Sequence, residues 1–190
     1  MFILPVGEMK LFRYIVLWLS IVITPTVLAD SLQNSIDAIG ADVLFMRHAL
    51  APGFGDPSNF DINDCSTQRN LDTQGREQAI TLGKRLKREH VNFSEVKSSY
   101  WCRCYETAQL LDVGPVEKFS GLNSFFQQHA DRRETLNSLN DYLTSLDSDS
   151  DPVLLVTHQV VISAVTGISP ASGGFVLFNS KTGAAARWDP

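Results

Sequence analysis

The sequence predicts an α/β domain, in which a mostly parallel central sheet lies between two layers of helices and ends in a C-terminal antiparallel hairpin. Short apolar segments alternate with amphipathic segments of helical period, a pattern typical of parallel sheets covered on both faces. The last two apolar segments are separated by Ser-Lys-Thr-Gly, which favours a hairpin turn. Strands are predicted at residues 42–46, 95–99, 116–119 and 153–157, with the hairpin at 175–179 and 184–188.

The predicted helices have recognisable ends. Asp72 suits the N-cap of a helix that runs to about residue 89. Ala79, Leu82 and Leu86 fall on one face of it, and its basic residues cluster near the C-terminal end, where the helix dipole favours them. The remaining helices are predicted at 102–111, 132–146 and 160–166, the last ended by Gly167.

The N-terminal stretch has the features of a secretory signal peptide. Lys10 and Arg13 precede a short apolar run, and Ala29 ends a small-residue cleavage site. The apolar run is shorter than the ~20 residues that a spanning helix needs. We therefore expect residues 1–29 to be removed, leaving one domain over 30–190 that has no membrane span and is periplasmic or secreted. A retained membrane anchor is the alternative.

Composition limits the classes of partner. The 190 residues carry a formal net charge of −5, and no basic stripe is visible, so nucleic acid is not an expected partner. An anionic substrate would have to be held by a local cluster of cations. The sequence does not indicate an oligomeric state.

The chain has three cysteines, Cys65, Cys102 and Cys104. An exported protein can form disulfides, and Cys102 and Cys104 are too close in sequence to bridge each other easily. We therefore predict a bridge from Cys65 to either Cys104 or Cys102, with one thiol left free. These cysteines lack the paired ligand spacing of a zinc site, so no metal is predicted.

Basic side chains follow three of the predicted strands. Arg47 and His48 come after the first strand, Arg103 after the second and His158 after the fourth. The carboxyl ends of parallel strands meet at one edge of a sheet, so these groups could converge there. Arginine presents a planar fork of donors that matches phosphate, and neutral imidazole can attack phosphorus. Taken singly, each group also suits a structural role; Arg103, for example, could pair with Glu106.

Four segments resemble those of a known family. They read F-M-R-H-A at 45–49, R-N-L-D-T-Q-G at 69–75, S-S-Y-W-C-R-C-Y-E-T-A at 98–108 and V-L-L-V-T-H at 153–158. In this order they resemble the histidine phosphatase superfamily, which includes phosphoglycerate mutases, acid phosphatases and small phosphohistidine phosphatases. The resemblance extends from residue 42 to about residue 167.

The resemblance implies a mechanism and a set of roles. His48 would attack the phosphorus of a phosphorylated small molecule or phosphoprotein and become phosphorylated, and water would then release phosphate. Arg47, Arg103 and His158 would hold the non-bridging oxygens, and Arg69 would border the phosphate pocket or anchor the long irregular loop at 50–70. No cofactor and no metal are implied.

The sequence departs from the family at the general acid. Many members place a carboxylate after the second arginine, to protonate the leaving group, but residues 121–126 contain none. Asp131, Glu134 and Asp56 are the candidates for this role. The departure keeps open a second hypothesis, a catalytically inactive protein that binds a phosphoryl ligand. The intact set of arginines and histidines favours the enzyme.

The loops at 50–70 and 121–131 are expected to form the pocket walls. An irregular segment as long as the one at 50–70 is more often functional than accidental inside a compact domain. Four aromatic residues in these loops could contact a substrate or could equally belong to the core, namely Phe54, Phe60, Phe125 and Phe126.

Overall fold

Strands and helices alternate along the protein, as seen in a computed structural model that describes residues 31–147 and 150–189. The strands are β1 (Val43–Arg47), β2 (Val96–Ser98), β3 (Val116–Lys118), β4 (Val153–Thr157), β5 (Phe175–Phe178) and β6 (Ala185–Trp188). The helices are α1 (Leu32–Ile39), α2 (Thr73–Arg88), α3 (Cys102–Leu111), α4 (Arg132–Ser145) and α5 (Gln159–Thr166). Short 3-10 turns lie at Cys65–Thr67, Ser120–Leu122 and Phe126–Gln128.

The six strands form one sheet in the order β3-β2-β4-β1-β5-β6. The pairs β3–β2, β2–β4 and β4–β1 are parallel, whereas β5 is antiparallel to both β1 and β6. Arg47 pairs in register with Thr157. The residues that follow, His48 and His158, therefore leave the sheet side by side at its carboxyl edge.

Two apolar layers sandwich the sheet, because successive side chains of a strand point to opposite faces. Leu44 and Met46 of β1 pack with the cluster that contains residues of α1, α2 and α3. Val43 and Phe45 pack with the cluster that contains residues of α4 and α5. The predicted three-layer α/β/α sandwich with its C-terminal hairpin is confirmed.

The helix ends follow the predicted chemistry closely. The Asp72 carboxylate caps α2 by accepting a hydrogen bond from Gly75 N at 2.7 Å. Helix α1, capped by Ser31, is an addition to the predicted elements. The predicted signal peptide lies outside the described residues. Within the described part, no helix is both long and apolar enough to cross a membrane.

Candidate active site

A pocket of about 290 Å³ opens at the carboxyl edge of the sheet. Three elements and the long loop bring the predicted basic residues together there, since Arg47 ends β1, Arg103 lies in the first turn of α3 and His158 precedes α5. The pocket is lined by Arg47, His48, Gly53, Phe54, Gly55, Arg69, Arg103, Ser124, Phe126, His158, Gln159 and Val160. The predicted convergence of basic groups is therefore present in the structure.

His48 is held as a neutral imidazole with one unprotonated nitrogen. Its side chain is buried, and Nδ1 lies 2.7 Å from the carbonyl oxygen of Ala49. A carbonyl oxygen only accepts hydrogen bonds, so Nδ1 carries the proton and Nε2 keeps its lone pair. Burial, followed by the charge of Arg103, places the pKa of His48 well below the ordinary value. The ring is thus in the form that a nucleophile needs.

Arg47 reaches the same pocket because the chain bends at the end of β1. The amide of Gly173 donates to the carbonyl oxygens of both Arg47 and His48, at 3.1 Å each. Arg47 Nη1 donates to the carbonyl of Pro170 at 3.2 Å. The buried Nε of Arg47 has no hydrogen-bond partner among the described residues, so it is available to an anion. Burial, then the charge of Arg103, lowers the pKa of Arg47.

Arg103 forms a buried ion pair with Asp56. Nη1 and Nη2 donate to the two carboxylate oxygens at 2.7 and 3.1 Å, and Nη1 also donates to the carbonyl of Arg69 at 3.1 Å. Nε of Arg103 is buried and lacks a partner within the described part of the chain. The structural alternative of an Arg103–Glu106 pair is wrong, because Glu106 instead pairs with Arg76 at 2.6 Å.

Arg69 combines the two roles that the sequence left open. Its Nε donates to the carbonyl of Gly55 at 2.8 Å, and its Nη1 donates to the carbonyl of Ala51. It therefore anchors the long loop while also lining the pocket. Burial, then the charge of Arg103, lowers the pKa of Arg69, so the three guanidinium groups are close enough to repel one another.

His158 stands beside His48, with ring centroids 5.5 Å apart. Its Nε2 lies 3.0 Å from Ser99 Oγ, which lies 3.2 Å from Asn123 Oδ1. Asn123 Oδ1 only accepts, so both contacts are hydrogen bonds when Ser99 donates to Asn123 and accepts from His158 Nε2–H. Burial, followed by the charge of Arg103, places the pKa of His158 well below the ordinary value. The free thiol of Cys104 packs 3.4 Å from this Nε2.

Asp56 differs from the other two candidate acids because it lies against the site. Its carboxylate accepts hydrogen bonds from Arg103, from the backbone N of Arg69 at 3.0 Å and from Trp101 Nε1 at 3.1 Å. Burial alone would raise its pKa, but the hydrogen bonds and charge of Arg103 lower it below the ordinary value. An ionised carboxylate has no proton to give at neutral pH.

Asp131 and Glu134 lie outside the pocket, so these two candidate acids are not brought to His48. Asp131 is the N-cap of α4 and accepts a hydrogen bond from the backbone N of Glu134 at 2.8 Å. Both residues line a separate surface depression along α4. Their place in the sequence reflects helix capping and the helix dipole. The pocket lining of the described residues contains no carboxylate.

Trp101 is a site residue that sequence reasoning missed. It is buried, bonds Asp56, and lies edge-on to His158 with ring centroids 5.2 Å apart. Phe60 stacks on it at 5.1 Å, which makes Phe60 a packing residue. Phe125 likewise packs against the core cluster on the α4 side of the sheet. Of the four loop phenylalanines, Phe54 and Phe126 line the pocket.

A disulfide joins Cys65 to Cys102, with their Cα atoms 5.7 Å apart, and leaves Cys104 free and buried. It selects one of the two predicted pairings. Burial raises the pKa of the Cys104 thiol to about 12. The bridge ties the long loop to the first residue of α3, beside Arg103. No group of three or more potential metal ligands is found among the described residues.

Part of the sequence matches a known protein family. Residues 43–124 match the family described as the histidine phosphatase superfamily, branch 1. The matched range includes the segments that carry His48 and Arg103, and the fold is that of the same superfamily. The resemblance that the four motifs indicate is therefore confirmed. No curated protein matches the sequence.

Solved structures share the fold at low sequence identity. A protein histidine phosphatase SixA complexed with tungstate is 18% identical with a TM-score of 0.53, covering 76% of this chain and 92% of that one. The native mycobacterial glucosyl-3-phosphoglycerate phosphatase is 14% identical with a TM-score of 0.51, covering 72% and 89%. A phosphoserine phosphatase mutant from Entamoeba histolytica in complex with phosphoserine is 12% identical with a TM-score of 0.52, covering 77% and 94%.

Proposed function

We propose that the protein is a metal-independent phosphatase that hydrolyses a phosphomonoester or a phosphoprotein through a phosphohistidine intermediate on His48. The observation that carries the proposal is the free Nε2 lone pair of a neutral His48 in a pocket that three arginines line. A nucleophile of this kind beside cationic donors suits attack on a phosphoryl group.

The first step forms a bond from His48 Nε2 to phosphorus while the bond from phosphorus to the leaving oxygen breaks. The buried Nε groups of Arg47 and Arg103 would hold two of the non-bridging oxygens. His158 lines the same pocket, and it would donate to the third oxygen when the bound dianion favours a protonated ring, because the Nε2–H of the neutral ring is donated to Ser99. Water then attacks phosphorus, the N–P bond breaks, and the imidazole recovers its lone pair as inorganic phosphate forms. Positioning and charge stabilisation supply the catalysis.

The charges of the site suit this substrate. Arg47, Arg69 and Arg103 carry three positive charges, Asp56 removes one, and neutral His48 adds none. The remaining two positive charges balance a phosphomonoester, which carries about −1.5 to −2 at pH 7. Electroneutrality supports binding of the dianion without a metal ion.

The alternative is a protein of the same fold that binds a phosphoryl ligand without turnover. It is motivated by the absence of a carboxylate from the pocket lining within the described residues. The imidazole of His48, however, is oriented by Ala49 and kept neutral, which binding alone does not require. We favour the enzyme on this ground.

The test is hydrolysis of an aryl phosphate in the presence of EDTA by protein that begins at Asp30, beside His48→Ala. Turnover that survives EDTA and is abolished in His48→Ala is the expected result. The matched control is His90→Asn, at a surface histidine with positive φ that asparagine tolerates. Failure to hydrolyse the ester and to take up phosphate on His48 from phosphoramidate would favour the binding alternative.

We further propose that the protein is exported and acts in the periplasm or outside the cell. The signal-peptide pattern that ends at Ala29 supports this. N-terminal sequencing of protein recovered from the cell envelope or medium should give Asp30 as the first residue. An intact N-terminus on membrane-bound protein would indicate a retained anchor instead.

A further inference from the structure

Two exposed phenylalanines stand at the mouth of the His48 pocket. The side chains of Phe54 and Phe126 are 88% and 37% exposed, and their rings meet edge to face with centroids 5.2 Å apart. Both line the pocket. The other large exposed hydrophobic residues in the described ranges are Ile80 and Tyr100, which do not line it. Exposed apolar area at this place therefore needs an explanation.

The aromatic pair is built into the site. Gln127, next to Phe126, accepts a hydrogen bond through Oε1 from the backbone N of Asp56 at 2.9 Å. Gln127 and Gln128 both have positive φ, 56° and 61°, a conformation uncommon for residues other than glycine and often found at functional sites. Because Asp56 also holds Arg103, the loop of Phe126 is tied to the phosphate-binding groups.

The charges at the pocket place a limit on the leaving group. The cations of the lining are matched by Asp56 and by the phosphate itself, so no cation in the described lining remains for a charged leaving group. No carboxylate lines the pocket to protonate it either. An aliphatic alkoxide leaves poorly without a proton, whereas a phenol, with a pKa of about 10, leaves as a much weaker base.

We propose that the site takes aryl phosphomonoesters, and that Phe54 and Phe126 hold the aromatic ring of the leaving group. The inference rests on the proposed phosphatase function and names its substrate class. His48 Nε2 forms a bond to phosphorus, the aryl oxygen departs with the electron pair of the P–O bond, and the phenolate takes a proton from water. Edge-to-face and stacked contacts with two aromatic rings favour such a group over an alkyl chain or a sugar.

The test is binding of two phosphonates, whose P–C bond is not hydrolysed by this chemistry. Calorimetry on the protein that begins at Asp30 should show phenylphosphonate binding about tenfold more tightly than methylphosphonate. The double variant Phe54→Ala with Phe126→Ala should reduce this ratio to less than about threefold. The matched control, Tyr100→Ala, removes an exposed aromatic ring outside the lining and should keep the wild-type ratio.

Equal binding of the two phosphonates by wild type, or a ratio that survives in the double variant, would overturn the aryl proposal. The same variants are then compared in turnover of phenyl phosphate and glycerol 2-phosphate, where the double variant should lose preference for the phenyl ester. Failure of the phosphatase function has a different signature, namely no turnover of either ester and no phosphate on His48. Circular dichroism of each variant separates these outcomes from misfolding.

Discussion

The carboxylate of Asp56 holds the guanidinium of Arg103 end-on, with both Nη atoms bonded and the Nε edge left without a protein partner among the described residues. The two side chains are 4% and 3% exposed. Such a pair fixes the plane of the guanidinium, so the free edge is already oriented when an anion arrives. We therefore expect Asp56 to position Arg103 and not to act as the proton donor.

Substitution of Asp56 distinguishes positioning from acid catalysis. Asp56→Asn keeps the shape but loses the charge, and kcat/KM should fall by about tenfold or more, as expected for a lost charge-assisted hydrogen bond. The loss should be equal for aryl phosphates with good and poor leaving groups, because the proposed role of Arg103 is to hold the phosphoryl group and not the leaving group. A general acid would instead produce a larger loss for poor leaving groups. A leaving-group series measured on both proteins decides between them.

Asp131→Ala is the matched control for Asp56→Asn. It removes the N-cap of α4 and should lower the free energy of unfolding by about 1 kcal/mol. Because Asp131 lies outside the His48 pocket, kcat/KM should not change. A drop in kcat/KM that is larger for poor leaving groups would instead indicate that Asp131 is the general acid.

His48 should stay neutral through the pH range in which a free histidine becomes charged. Its pKa in the folded protein lies below the unfolded value of about 6.5, because of burial and then Arg103. The unfolded state therefore binds the proton more readily than the folded state. The free energy of unfolding is not reduced by this difference above about pH 6.5, and it decreases as the pH falls below that value. NMR titration of the imidazole, assigned with His48→Gln, should show the neutral form at pH 6.5. Half-protonation near that pH would contradict this.

The limits of prediction from sequence follow from how each contact is encoded. His48 and His158 could be placed together because each follows a strand of clear pattern, and parallel strands share an edge. The partnership of Asp56 with Arg103 and Trp101 could not be found, since Asp56 lies in an irregular loop with no periodicity. The hydrogen bonds by which Arg69 anchors that loop could not be predicted for the same reason.

Whether Cys102 or Cys104 pairs with Cys65 likewise depends on a structural detail that the sequence pattern does not give. Residues two apart on a helix lie about 200° apart around its axis, since each residue turns about 100°. Helix α3 therefore buries Cys104 against the sheet and turns Cys102 toward Cys65. The rotation of α3 about its own axis therefore decides which cysteine can reach Cys65. The surrounding sequence pattern did not predict that rotation.

Removal of the disulfide should reduce activity before it unfolds the protein. A sequence separation of 37 residues corresponds to roughly 3–4 kcal/mol of stabilisation by loop closure. The bridge ends at Cys102, beside Arg103, so its loss frees the loop that carries Asp56. Cys65→Ser with Cys102→Ser should therefore lower both Tm and kcat/KM while the far-UV spectrum at 25 °C stays native. Unchanged turnover in the double variant, or in wild type under a phosphine reductant, would show that the bridge does not support the site.

Gly75 should not tolerate even a methyl group. A Cβ built on it would lie 1.9 Å from the carbonyl oxygen of Leu50, a backbone atom. Leu50 cannot yield easily, because its N–H donates to Gln78 Oε1 at 2.8 Å and its chain neighbour Ala49 donates to Thr107 Oγ1 at 3.0 Å. Alanine gains up to about 1 kcal/mol over glycine in helix propensity, but forced repacking costs about 1–3 kcal/mol.

The clash caused by a methyl group at Gly75 should also impair catalysis, because Leu50 is two residues from His48. Gly75→Ala is expected to lower the free energy of unfolding in urea by up to about 2 kcal/mol net and to lower kcat/KM as well. Gln74→Ala, at an exposed position one residue earlier in α2, should change stability by less than about 0.5 kcal/mol and leave activity unaltered. If Gly75→Ala were as active and as stable as this control, the close packing of α2 on the segment after His48 would not be what fixes the nucleophile.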